Sequence, residues 1–386
     1  MKLLFFVNES LSETNGISKK IRAQVKAIRQ LGIETDICYL QGDDIITARL
    51  VNDEVLEKFP GNTFLNRFAW RCSYGRLFQY IIRRNIDTLY IRYTHYGNPF
   101  FNQFLRRLKK AGVQILLELP TYPYDNEYRN LKLTSRAVLL LEKLTRRNFR
   151  KSVSRIVTLT HHPEIFGVPT IRFSNGIDPD ILPMITPRKQ EAGTHLIGVA
   201  SIGFWHGYDR VIEGLRKYYQ AGADVSGKVY FHIVGDSDNP ESIRYRKLVI
   251  LYNLQDYVIF YGKRSGKELD DLFNGADIAV GSLACHRISL DNVRPLKNRE
   301  YCARGIRFFY AETDDDFEGQ EFVYKVPSND DPVDIPALLV FIREHNIPAE
   351  KIRKFACDKL TWTRQFDRIL SEAAAVKATP QPVTGS

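Results

Sequence analysis

A chain of 386 residues exceeds the usual single-domain size of roughly 100–200 residues, so two domains are expected. Its 44% hydrophobic and 26% charged residues match ordinary globular usage and exclude a disordered chain, a disulfide scaffold and a membrane-embedded bundle. The net charge of +10 sits in the first half: residues 1–180 hold 28 Lys and Arg against 17 Asp and Glu, while residues 181–386 hold 27 against 28. Such an excess suits anionic lipid headgroups, nucleic acid or a phosphorylated substrate, or else a solvated face.

The first apolar run, Lys2–Val7, stops at Asn8 and Glu9, too soon for a secretory leader, and reads as a strand. Strands are predicted next at Thr35–Leu40, Thr88–Tyr93, Val113–Leu119 and Arg155–Thr160, with helices at Ser18–Leu31, Phe100–Ala111 and Ser135–Ser152 between them. The alternation of strand and helix predicts an α/β, doubly wound, Rossmann-like domain over residues 1–180. Residues 181–194, overlapping the proline-bearing stretch Asp178–Gly193, read as a linker.

A second Rossmann-like domain follows over 195–351, with strands at His195–Ser201, Val229–Val234, Tyr257–Gly262, Asp277–Ser282, Arg307–Ala311 and Phe322–Val326. Helices are predicted at Tyr208–Ala221, Glu241–Leu251, Lys267–Phe273 and Leu296–Ala303. A C-terminal helix over 352–376 carries Trp362 and Phe366 and is expected to pack back toward the first domain; 377–386 read as a disordered tail. Two such domains facing one another place a cleft at the carboxyl ends of both sheets. The five cysteines form no Cys-x-x-Cys pair, which supports neither a zinc site nor a disulfide framework and fits a reducing cytoplasm. No apolar run approaches the roughly 18 residues that cross a bilayer.

Four segments carry chemistry. After the first strand, Gly16 stands at a helix start, where close backbone approach and free N–H groups suit a phosphate or sugar; a plain N-cap turn fits as well. Phe173-Ser-Asn-Gly-Ile-Asp178 closes the first domain and resembles the "PNGID" segment of glycosyltransferase family four. The stretch Gly198-Val-Ala-Ser-Ile-Gly-Phe-Trp-His-Gly-Tyr-Asp-Arg-Val-Ile-Glu-Gly-Leu215 looks like the strand–loop–helix in which that family places an Arg and a Lys-Gly on the donor's diphosphate. Here Ser201 stands at the Arg position and His206-Gly207 at the Lys-Gly, with Trp205 just before. The missing cations leave Lys263, Arg264, Arg294 and Lys297 as substitutes.

The fourth segment, Arg294-Pro-Leu-Lys-Asn-Arg-Glu-Tyr-Cys-Ala-Arg-Gly305, is similar to the family's "LK-x-x-EY-x-A-x-G-x-P" variant of its Glu-x7-Glu signature, with Arg307 at the closing proline. The resemblance implies the GT-B fold and a retaining, metal-independent transfer from a nucleotide sugar. It implies that backbone N–H groups from Leu296 onward hold the diphosphate, that Glu300 holds the ribose hydroxyls, that Lys297 steadies the leaving group with help from His206, and that Asn292 replaces the first Glu. No cofactor is expected besides the donor itself, and a uridine-linked donor ranks ahead of a guanosine-linked one.

On the acceptor side, the Tyr-rich segments 90–99 and 118–128 follow strands and supply His95, Glu118, Tyr122, Tyr124 and Glu127 for a glycan or lipid-linked oligosaccharide. Arg106–Lys110 and Arg136–Arg155 can rest on an anionic membrane, placing the protein at the inner face of the cell membrane. Nucleic acid is not expected, because no binding module is present. A nucleotide-sugar 2-epimerase of the same fold and a non-catalytic binding protein are the alternatives; surface polysaccharide synthesis is the expected pathway.

Overall fold

The computed structural model describes residues 1–11, 16–42, 46–60, 69–124, 133–186, 193–222 and 227–378. The chain forms two compact units, one of Met1–Ser174 with Trp362 onward, the other of Asn175–Thr361.

The first unit runs β1 (Lys2–Ser10), α1 (Gly16–Gln30), β2 (Glu34–Gly42), β3 (Ile46–Val51), β4 (Glu54–Pro60), α2 (Gly75–Arg83), β5 (Thr88–Arg92), α3 (Pro99–Lys110), β6 (Gln114–Leu119), α4 (Leu133–Arg146), β7 (Arg155–Thr158), β8 (Glu164–Ile165) and β9 (Val168–Arg172). They build one sheet of order β4-β3-β2-β1-β5-β6-β7-β9-β8. From β2 to β9 the pairs are parallel, while β3, β4 and β8 join antiparallel at the edges.

Strand β1 is apolar from Leu3 to Val7 because both of its faces are covered. Leu4 and Phe6 pack with Phe101, Phe104 and Leu108 of α3, whereas Leu3, Phe5 and Val7 pack with Ile21, Val25 and Ile28 of α1. Helix α3 starts where Asn98 accepts from the Phe101 N–H at 3.0 Å and Pro99 occupies the first turn.

The hairpin β3–β4 departs from the predicted βα alternation. Its centre, Arg49, is a fully buried cation held by the Trp70 and Ser73 carbonyls and by Glu57, with its guanidinium over the Phe59 and Tyr74 rings. A charge in a position that strand periodicity assigns to an apolar residue hides the strand from a hydrophobicity pattern.

The second unit is a six-stranded, all-parallel sheet of order β12-β11-β10-β13-β14-β15. In chain order it comprises β10 (Thr194–Ala200), α5 (Tyr208–Gln220), β11 (Val229–Gly235), α6 (Pro240–Leu251), β12 (Val258–Gly262), α7 (Gly266–Asn274), β13 (Ile278–Val280), α8 (Leu296–Arg304), β14 (Phe308–Tyr310), β15 (Val323–Lys325), α9 (Ile335–Glu344) and α10 (Ala349–Lys359). The stretch expected as one helix over 352–376 is two. Helix α10 stays with this unit; α11 (Trp362–Ala378) packs on α1 and β9 of the first through Trp362, Phe366 and Ile369. Thr361 separates them by pairing with Ile177 in a β-bridge, a break that no glycine or proline announces.

Strand order in the second sheet reverses between β10 and β13. Parallel sheets open a crevice beyond the carboxyl ends of the two strands at such a reversal, because the connections leave in opposite directions. The loops after β10 and β13 are therefore the places to look for a ligand site. Among the described residues, no helix is long and apolar enough to cross a membrane.

Candidate functional site

After β10 the chain forms a 3₁₀ turn, Phe204–His206, and enters α5 through Gly207 at φ +65°. The turn is fastened to the loop after β13: Leu283 N–H donates to the His206 carbonyl at 3.0 Å and Ala284 N–H to the Trp205 carbonyl at 3.2 Å. Arg287 clamps the same junction, gripping Asp209 at 3.0 and 3.1 Å and the Phe204 carbonyl at 2.9 Å. A β-carbon on Gly207 would lie 2.9 Å from the Cβ atoms of both Leu283 and Ala284, on a backbone that L-residues disfavour. Gly207→Ala is expected to lower the stability of this unit by about 1–3 kcal/mol, read by chemical denaturation.

Helix α8 begins at this junction. Pro295 precedes it and offers no side-chain cap, so the first-turn N–H groups have no internal partner. The Lys297 side chain reaches inward from that turn: its Nζ is enclosed, lies 5.7 Å from the Tyr208 ring centre, and has no hydrogen-bond partner among the described residues. Burial pulls its pKa down to about 7, against the partial restoring pull of Cys285 and Glu312. Neither is a full counter-charge. The Cys285 thiol is pushed up to about 12 by burial, and burial also raises the Glu312 carboxyl above its ordinary range. Glu312 accepts from the Cys285 N–H through Oε1, and its Oε2 has no partner among the described residues.

His206 is buried beside this ammonium. Its Nδ1 accepts from the Gly203 N–H at 2.9 Å, which assigns the proton of the neutral ring to Nε2. Burial, followed by repulsion from Lys297, lowers its pKa to about 2. At the position where the resembled family carries a cationic Lys, this chain thus holds a neutral imidazole able to donate one hydrogen bond. A buried ammonium and the uncapped start of a helix are what this junction offers to an anion.

The other candidate cations are engaged. Lys263, highly exposed, pairs with Asp236; Arg264 pairs with Glu268 at 3.6 Å; Arg294 pairs with Asp315 at 2.7 Å. Asn292 also donates to Asp315, at 3.3 Å, and bridges Thr313 through its backbone. Ser201, Trp205 and Leu296 are exposed around the junction. Glu300 is half-buried on α8, where its Oε1 accepts from Arg304 at 2.9 Å.

In the first unit, Gly16 opens α1 with no atom of the described residues within 4 Å of where a β-carbon would stand. His95, at φ +60°, stacks on Tyr124 with ring centres 3.7 Å apart. Tyr124 is buried and donates to Glu142 at 2.6 Å, while Tyr122 is half-buried against His162 and Phe166. Glu118, expected at the acceptor side, is fully buried. It accepts from Tyr90 at 2.9 Å and Gln24 at 3.2 Å and pairs with Arg92 and Lys20, so it organises the sheet's interior and presents no atom to solvent. Glu127 lies outside the described residues.

Sequence reasoning did not single out Tyr208, Cys285, Arg287 or Glu312. Glu312 opens the run Glu312-Thr-Asp-Asp-Asp316, which reads as an acidic surface loop; the β13–β14–β15 register is what carries it inward.

Neither known protein-family models nor curated protein sequences match this chain. Solved structures do. A glycosyltransferase from Rickettsia africae superposes with a TM-score of 0.65 at 13% identity, covering 98% of this chain and 99% of that one. Sucrose-phosphate synthase from Thermosynechococcus elongatus gives 0.61 at 13%, covering 97% and 100%. HepE from Anabaena in complex with UDP gives 0.61 at 12%, also covering 97% and 100%. The fold of this chain is the two-domain α/β GT-B fold of those proteins.

Proposed function

We propose that the protein is a retaining glycosyltransferase that moves a sugar from a nucleotide sugar, uridine-linked ahead of guanosine-linked, to a glycan or lipid-linked acceptor in surface polysaccharide synthesis. The observation that carries this reading is Lys297: an ammonium enclosed without a hydrogen-bond partner among the described residues at the uncapped start of α8, beside the reversal of strand order. A buried ammonium in this state is costly unless an anion completes it, and a diphosphate fits both the charge and the row of N–H donors. The shared fold adds support, since HepE was solved with UDP and with UDP-glucose.

In this mechanism the bond between the anomeric carbon and the diphosphate oxygen breaks as the acceptor hydroxyl bonds the same carbon on the same face. The hydroxyl proton passes to the departing diphosphate. Lys297, the α8 amides and the His206 Nε2–H stabilise the charge growing on the leaving oxygens, the electrostatic effect that dominates such reactions. Glu300 takes the ribose hydroxyls through its second oxygen while Arg304 keeps hold of Oε1.

A thermal-shift screen tests the donor. UDP or a UDP-sugar at one hundred times its dissociation constant is expected to add about 2.7 kcal/mol to the stability of the second unit, with GDP-sugars adding less. Glu300→Ala is expected to weaken uridine diphosphate binding far more than pyrophosphate binding. No shift with any nucleotide sugar contradicts the proposal, and isomerised donor in an acceptor-free incubation points to an epimerase instead.

A further inference from the structure

Three arginines of the first unit surround a pocket that the reaction described above does not use. It has a volume of about 420 Å³ and is lined by Tyr122, Arg146, Arg147, Arg150, Phe166 and Gly167. Arg146 forms its wall, paired with Glu142 at 3.4 Å and lying over the Phe166 ring at 4.5 Å. Glu142 itself is fully buried and also accepts from Tyr93 and Tyr124, so its charge is satisfied inside the unit.

Arg147 and Arg150 differ from Arg146. They belong to the 3₁₀ segment Arg147–Lys151 that continues α4, and in such a helix residues three apart project on the same side. Both are exposed, and neither guanidinium has an ion-pair or hydrogen-bond partner among the described residues. The stem of Arg150 lies across Gly167, where a β-carbon would come within 3.3 Å of it. Two exposed cations thus line one pocket beside the Tyr122 and Phe166 rings, an arrangement that favours an anion. Guanidinium forks match phosphoryl oxygens in pairs, which favours phosphate over a single carboxylate.

Exposed apolar side chains precede these arginines on α4. Leu140 and Leu144, one turn apart on α4, are 60% and 71% exposed, and Arg147 follows at the next turn. Large apolar side chains leading to paired cations suit an amphiphile whose chain lies on the leucines and whose phosphate enters the pocket. We infer that this pocket holds the phosphoryl group of a lipid-linked phosphate or diphosphate. Its role as the anchor of the acceptor rests on the transferase reading; the binding itself does not.

Calorimetric titration of the full chain with inorganic pyrophosphate and with farnesyl diphosphate, both with UDP present, tests this. Farnesyl diphosphate is expected to bind at least tenfold more tightly than pyrophosphate. The double variant Arg147→Ala/Arg150→Ala, at exposed positions, is expected to lose at least tenfold for both and to keep UDP binding. Leu140→Ser/Leu144→Ser is expected to lose only the preference for the farnesyl chain. Lys297→Met serves as the reciprocal control, binding UDP more weakly while keeping its farnesyl diphosphate affinity, so failure of the donor reading and failure of this one give different patterns. Unchanged farnesyl diphosphate affinity in the double arginine variant overturns the inference. So does binding to phosphatidylglycerol vesicles by a protein that takes up neither soluble phosphate, which would assign the arginines to a membrane-facing surface.

Discussion

Lys297→Met is expected to lower sugar transfer by about 10²–10³-fold and to raise the melting temperature of the second unit. The two effects share one cause. The ammonium is enclosed with no partner among the described residues, and its pKa falls from 10.5 to about 7. Holding it charged at or below neutrality therefore opposes folding by a few kcal/mol, roughly 1.4 kcal/mol for each unit of the shift. Methionine matches the stem in length and has no charge to desolvate, so a gain of about 1–4 kcal/mol is expected, as when buried ions give way to apolar groups of similar shape. The activity loss has the size found when one preorganised donor to a developing negative charge is removed. A lysine kept only for packing would produce the gain without the loss. Denaturation curves and initial rates on the same two proteins separate these outcomes.

Arg299→Ala is expected to destabilise the second unit by about 3–5 kcal/mol, the largest stability effect anticipated from a single substitution in α8. Arg299 is fully buried and grips Asp314, equally buried, through both carboxylate oxygens, one at 2.7 Å, and reaches Asp316 as well. Burial disfavours its cation, but the two carboxylates together outweigh burial and hold its pKa above the ordinary range. Removing the arginine leaves a buried carboxylate exposed to the full cost of desolvation. Arg299→Met with Asp314→Leu removes both charges and is expected to recover most of the loss in urea denaturation. Failure of the double change to recover any of it would show that geometry, not charge, is what the pair supplies. Because this pair fixes the helix that carries Lys297 and Glu300, the single variant is also expected to bind nucleotide poorly.

All the parallel strands except β9, and most of the helices, were legible in sequence because buried parallel strands are continuous apolar runs, as in Leu3–Val7 and Ile115–Leu117. Besides β9, α2 and α9, the hairpin β3–β4 escaped, and polar residues hold it in place. Arg49 masked β3, and Asn52 and Asp53, at φ +48° and +71°, make a turn into β4 that those residue types adopt more readily than others. The break at Thr361 escaped because it is made by pairing with Ile177, 184 positions away.

The site divides in the same manner. The α8 helix itself was readable since its apolar spacing is local. Which of the candidate cations is available was not readable. Lys263, Arg264 and Arg294 are engaged by Asp236, Glu268 and Asp315, and only the fold decides those pairings. Glu118 illustrates the opposite error: a carboxylate in a tyrosine-rich stretch suggested a sugar contact, and its actual neighbours, Tyr90, Arg92, Gln24 and Lys20, come from β5 and α1.

The central claim is that Lys297 meets the donor's diphosphate, and proton uptake measures it most directly. In the free protein Lys297 loses its proton as pH rises through about 7, while an adjacent diphosphate favours the protonated form and raises that pKa. Between these two values, binding must take up a proton, so affinity for UDP is expected to fall with rising pH, by up to tenfold per unit. The UDP phosphate, already ionised in this range, does not mask the trend. Titration calorimetry at about pH 8.5, in two buffers of different ionisation enthalpy, is expected to show uptake of close to one proton in the wild-type protein and none in Lys297→Met, whose weaker binding is flat with pH. Equal UDP affinity and equal proton uptake in the two proteins would contradict the account.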